Sequence, residues 1–120
     1  MDRNTLVGAG LLAAPAMDKD LSTLPWNPHP SFRGVSLRHL LTGAQTGGAL
    51  SAHLVRIEPG CTLEAHTHQG SLELHEVLRG AGRGSLGGRE EADGPGVCGL
   101  IPAGTVHSVR AAAGVDVYLL

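Results

Sequence analysis

From residue 35 onward the chain alternates short apolar runs with tight-turn signals. Residues 35–41 read as a strand, 42–48 as a glycine-rich loop, and 50–57 as a strand with loose alternation, closed by Glu58-Pro59-Gly60. Pro-Gly is a strong turn signal, because proline presets φ and glycine accepts the left-handed conformation that follows. Residues 61–67 read as extended and 72–78 as a further strand. Gly80, Gly82, Gly84, Gly87 and Gly88 then punctuate a hairpin with its tip at Gly87-Gly88. Asp93-Gly94-Pro95-Gly96 is another turn, 97–101 a short apolar strand, and 106–110 and 115–120 the last two strands. Short strands with turn signals at close, regular intervals predict an all-β sandwich or barrel.

The first 32 residues do not share this pattern. They are expected to form an irregular or partly helical arm, packed on the barrel of residues 33–120 or on a partner subunit. A short helix or turn is expected near Asp18-Lys19-Asp20. Pro28 and Pro30 exclude regular helix around Trp26–Pro30. Trp26 and Phe32 are expected to pin the arm down. The apolar stretch 6–16 ends in Ala14-Pro15-Ala16 and loosely imitates an export signal, but it is short and its flank pairs Asp2 with Arg3.

Composition narrows the function classes. The chain has 120 residues, enough for one core, and carries 18 glycines but only one Trp, one Tyr and one Phe. So few aromatics argue against a base-stacking platform, and the core must be aliphatic. Net charge is -2 with no Lys/Arg run, which gives no support for nucleic acid or an anionic membrane as partner. No apolar run is long enough to span a bilayer. Cys61 and Cys98 form no CxxC pair and are read as reduced thiols in a cytoplasmic protein, with one disulfide as the alternative. Cys98, on an apolar strand, is expected to be buried. Lys19 is the only lysine, which disfavours Schiff-base chemistry.

The seven histidines carry the candidate chemistry. His66 and His68 lie two apart in an extended stretch, so their imidazoles share a face and can share one ion. Glu73 follows after four residues and can add a carboxylate oxygen, while His107 would have to be returned by a closed sheet. His75 has Glu73's parity and should also face the interior, as a general acid/base, a fifth ligand, a supporting group or merely part of the wall. Glu64 is read as a rim carboxylate. His53 and Arg56 lie on opposite faces of one strand, so one of them can reach the interior. His29 and His39 show no ligand spacing and are assigned to the surface or an interface.

These positions resemble the two motifs of the cupin superfamily. Gly60, five residues, His66-Thr67-His68, four residues, Glu73, six residues and Gly80 match the first. Gly96, five residues, Pro102-Ala103-Gly104, two residues and His107 match the second, except that Ala111 stands where the family has Asn. The resemblance implies a conical antiparallel barrel of the jelly-roll type, often a homodimer. It also implies one divalent transition metal per chain (Fe, Mn, Ni, Zn, Co or Cu), held by His66, His68, Glu73 and His107. Mixed nitrogen and oxygen donors suit those ions, and octahedral coordination would leave two open positions. Three functions follow as expectations. They are a small metal-dependent enzyme on a small polar substrate (dioxygenase-like first, isomerase or lyase next), a small-ligand sensor or carrier, and a structural barrel without metal.

Overall fold

A computed structural model describes residues 10–15 and 18–119, with side chains placed through residue 112. Among the described residues ten strands form two sheets. β1 (Leu11–Ala13) and β2 (Asp18–Asp20) make a small antiparallel hairpin. The other eight are β3 (Asn27–Pro28), β4 (Val35–Leu41), β5 (Ala52–Ile57), β6 (Thr62–His66), β7 (Glu73–Leu86), β8 (Arg89–Asp93), β9 (Cys98–Ile101) and β10 (His107–Leu119). They pair in the order β3-β4-β5-β10-β7-β8, with β6 also on β10 and β9 also on β7. All pairings are antiparallel. The all-β barrel expected from the turn spacing is therefore the architecture found.

β7 and β10 bend this sheet into a barrel. The first half of β7 pairs with β9 and the end of β10, while its second half pairs with β8 and the start of β10. The β7–β10 ladder shifts register three times between Ala111 and Tyr118. Such irregularities sharpen twist and let one long strand serve two parts of a curved sheet. The strand expected at 72–78 therefore runs on to Leu86, and the two expected at 106–110 and 115–120 are one strand through Leu119. Leu120 lies outside the described residues. Gly82, read as turn punctuation, sits inside β7 because a Cβ there would collide with the Arg110 carbonyl of the crossing strand.

Strand alternation sorts the aliphatic residues onto two faces. Val35, Val55, Ile57, Val77, Val109 and Ala111 form one buried cluster, joined at its margin by Phe32, Leu37, Cys61, Leu63 and Val97. Leu40, Leu54 and Leu78, of opposite parity, form a second cluster with Leu21, covered by Leu12, Leu24 and Trp26. The segment before β4 thus closes the outer face of β4 and β5. Arg38 lies 4.8 Å from the Trp26 ring centroid, a cation–π contact on that face. Around Asp18-Lys19-Asp20 the chain is a strand that enters a 3-10 turn, Leu21–Thr23. Asp20 caps it by accepting from the Ser22 amide at 3.0 Å. Residues 6–9 and 16 of the signal-like stretch lie outside the described residues. Among the described residues no helix is long and apolar enough to cross a membrane.

Candidate metal centre

His66 ends β6, His107 begins β10, and the two are direct cross-strand partners. That pairing closes the sequence gap between the two motifs. Glu73 begins β7 opposite Ile101 of β9. His68 sits in the loop between β6 and β7, where its carbonyl accepts from the Gly104 amide at 2.9 Å. This bond ties the His-x-His loop to the Pro102-Ala103-Gly104 turn that delivers His107.

The ligand atoms of His66, His68 and His107 all lie within 4.8 Å of one another. Nitrogens bound to one ion at about 2.0–2.1 Å stand about 4.2 Å apart when trans and about 2.9 Å apart when cis, so the rings would draw together on an ion. Glu73 lies between two of them, with Oε1 2.6 Å from His68 Nε2 and Oε2 3.3 Å from His107 Nε2. The site grades from depth to solvent: the side chain of His107 is 2 % exposed, that of Glu73 12 % and that of His68 44 %.

The outward nitrogens explain the orientation of two rings. His66 Nδ1 donates to the Glu64 carbonyl at 2.6 Å, and His107 Nδ1 donates to the Thr105 carbonyl at 3.0 Å. A carbonyl only accepts, so Nδ1 carries the proton on each ring and Nε2 is left as the inward donor atom. For His107 this sets a lone pair against a carboxylate oxygen, an arrangement that needs a cation between them, either a proton or a metal ion. The donor set therefore fits a divalent transition ion. The side chain of Glu64 is exposed, and what it contributes inward is its backbone carbonyl.

His75 shares Glu73's face, as its parity predicts, and is only 4 % exposed. Burial pushes its imidazole below the usual histidine range, as does His107, while Glu73 and Glu91 pull the other way. Its ring lies across its cross-strand partner Gly99, where an added Cβ would strike Nε2. Gly99→Ala is expected to displace the ring and to cost about 1–3 kcal/mol of stability. Urea denaturation and the imidazole NMR shifts of His75 check this; unchanged shifts would mean that the ring is not held there.

Several site neighbours were not legible from spacing. His53 lies on the face of Val55 and Ile57, whereas Arg56 has the parity of Leu54 and faces the other way. His29 stacks on Phe32 with centroids 4.3 Å apart, and Phe32 in turn lies 6.0 Å from His66. The Ser31 and Phe32 amides donate to His29 Nδ1 at 3.0 and 3.1 Å. His29, expected at the surface or an interface, is half-buried beside the site, and its imidazole is held low by burial and then by His66. Glu91 and Asp93 of β8 approach Gly84 from one side, with Asp93 buried. Only the turn after Asp93 was evident in the sequence. Cys98 is exposed rather than buried, because it falls on the outer face at the start of β9; both cysteines are free thiols. An open cleft of about 390 Å³, lined by residues 28–36 and Glu58, adjoins the histidines through His29 and Phe32.

The same fold occurs in known proteins. A predicted oxalate decarboxylase from Thermotoga maritima is 23 % identical, with a TM-score of 0.71 over 82 % of this chain and 90 % of that one. A cupin-superfamily sugar phosphate isomerase from Silicibacter pomeroyi is 23 % identical, with a TM-score of 0.69 over 83 % of this chain and 71 % of that one. A salicylate 1,2-dioxygenase from Pseudoaminobacter salicylatoxidans, crystallised with gentisate, is 20 % identical, with a TM-score of 0.63. There the match covers 77 % of this chain and only 26 % of the dioxygenase. At these identities the likeness establishes the fold alone. No protein with a curated description matches the sequence. The family profile described as the cupin domain matches residues 53–120. With that match across more than half its length, and with both motifs folded into one histidine cluster, the chain belongs to the cupin family.

Proposed function

We propose that His66, His68, Glu73 and His107 hold one divalent transition ion per chain, and that the protein is a small metal-dependent enzyme acting on a small polar substrate, with dioxygenase-like chemistry leading. The carrying observation is the convergence of three imidazoles on one point with a carboxylate between two of them. When bound, the ion supplies Lewis acidity and, for Fe or Mn, redox chemistry. The chain's own groups do the rest. The Glu64 and Thr105 carbonyls fix the Nε2 donors of His66 and His107. Glu73 balances the ion's charge. Burial holds the His75 imidazole below the usual histidine range, which favours the neutral form that can take up a proton. The near-absence of aromatics favours a small polar substrate over a large flat one. A decarboxylase, an isomerase and a dioxygenase among proteins of this fold support small-molecule chemistry without selecting a reaction.

A cytoplasmic homodimer belongs to the same reading. Leu74 and Leu100 are cross-strand partners, 60 % and 61 % exposed, and offer apolar surface on the outer side of β7 and β9.

The test is elemental analysis of protein purified without oxygen, added metal or an affinity tag. The expected result is about one Fe or Mn per chain, followed by substrate-dependent oxygen consumption. His75→Gln is expected to keep the metal and lower turnover by about 10²–10⁴-fold. Absence of metal, with none taken up on titration, would overturn the proposal, and unchanged turnover in His75→Gln would return that residue to the barrel wall.

A further inference from the structure

His39 and His53 are not used by the proposed centre, yet they meet at close range. They are direct cross-strand partners on β4 and β5, next to a register shift between His39 and Leu41. Side chains placed so have Cβ atoms about 4.5–5.5 Å apart and can act on one object. Their rings are perpendicular, with centroids 4.9 Å apart, and their Nδ1 atoms stand 2.9 Å from each other.

That distance admits two occupants. One is a shared proton, in an Nδ1–H···Nδ1 hydrogen bond. The other is a metal ion. Nitrogens about 2.0–2.1 Å from an ion, at the ~90° angle of a square-planar or octahedral centre, stand about 2.9 Å apart. We infer that His39 and His53 form a second cation site, which takes one divalent ion with tetragonal preferences, Cu(II) or Ni(II), through the two Nδ1 atoms. Both imidazoles then carry their proton on Nε2, and water fills the remaining positions. The residue types fit, since imidazole suits these ions and the Irving–Williams order ranks Cu(II) highest.

The surroundings favour an ion here. A ligating imidazole must be neutral. Burial holds His53 below the usual histidine range, and His39 adds to the effect. The negative charge of Glu73 also acts on His53, in the direction that attracts a cation. His39 is exposed, so an ion can arrive from solvent without the barrel opening.

The pair shares no ligand with the proposed centre, although the charge of Glu73 reaches both, and one experiment separates them. Cu(II) is titrated into the full chain, bound ion is counted by equilibrium dialysis, and nitrogen coupling is read by electron paramagnetic resonance. The wild type is expected to hold an ion with two equatorial nitrogens that His39→Ala and His53→Ala each lose and His66→Ala retains. If His66→Ala loses every bound ion while His39→Ala and His53→Ala lose none, the pair is only a shared-proton contact and the inference is overturned, with the central site intact. If the histidine pair accounts for all bound ion and His66→Ala changes nothing, the inference stands and the proposed centre falls. A measurement on the unaltered chain guards against misfolded variants. Cu(II) added beyond one equivalent per chain should broaden the Cε1–H resonances of His39 and His53, and sharp lines from both would overturn the site.

Discussion

Replacing His107 with alanine is expected to weaken metal binding by at least about 100-fold while leaving a folded barrel. The estimate takes the upper end of what loss of a mere supporting group costs a metal site, and a lost ligand should cost no less. His107 is the deepest of the three histidines and the only one that also faces Glu73 Oε2. Its removal takes a donor from the floor of the site and leaves Glu73 Oε2 without its contact to Nε2. The ring is buried, so the variant also loses some packing. His68→Ala provides the control, because that side chain is largely solvated and its backbone anchor to Gly104 survives the substitution. Calorimetric titration with Co(II) or Mn(II), beside circular dichroism of each variant, makes the measurement. Undiminished affinity in both would remove His107 and His68 from the ligand set.

The sequence was most legible where spacing and local chemistry coincide. His-x-His, Glu and the later His stand at fixed distances from Gly60, Gly80, Gly96 and Gly104, and all four glycines carry positive φ. Gly60, Gly96 and Gly104 mark turns and Gly80 lies within β7, and the positions are legible because few other residues adopt that conformation. The parity argument for His75 held for the same reason: between Glu73 and His75 the strand is regular, so two residues return to one face. The boundaries of β4 were evident because it ends in loops at both sides.

Legibility failed where glycine served packing rather than turning. Gly82 and Gly84 lie within β7 because the Arg110 carbonyl occupies one side chain's place and the Asp93 carboxylate the other's. Nothing local distinguishes such a glycine from one in a turn. The hairpin expected at Gly87-Gly88 is formed by β7 and β8, but the inward acidic residues Glu91 and Asp93 over Gly84 were not legible, because Arg89-Glu90-Glu91-Ala92-Asp93 has no apolar alternation. The His39–His53 pair is set by the register of β4 on β5, and His29's place beside the site by the path of the chain before β4. Neither follows from a spacing along one strand. A polar barrel interior thus hides from hydrophobic patterning, which reports where the core is aliphatic.

Ile57→Ala is expected to destabilise the fold by about 2–5 kcal/mol. Ile57 has no exposed surface and sits in the cluster of Val35, Val55, Val77, Val109 and Ala111. Its backbone is bracketed by β4 and β10, through Val35 on one side and Asp116 on the other, so neighbouring strands cannot easily collapse into the space left behind. The upper part of the range is therefore favoured over the lower. For a domain whose whole stability is about 5–15 kcal/mol, this is a large share. Urea denaturation should show a lower midpoint with an unchanged slope, since the surface exposed on unfolding barely differs. The loss should also reach the site. Val109 belongs to the same cluster and stands two residues from His107 on the same face of β10, so loosening the core relaxes the strand that positions the deepest histidine. Metal affinity in Ile57→Ala should fall by less than in His107→Ala, because every donor is still present. A midpoint equal to the wild type's would mean that this cluster does not hold the barrel together.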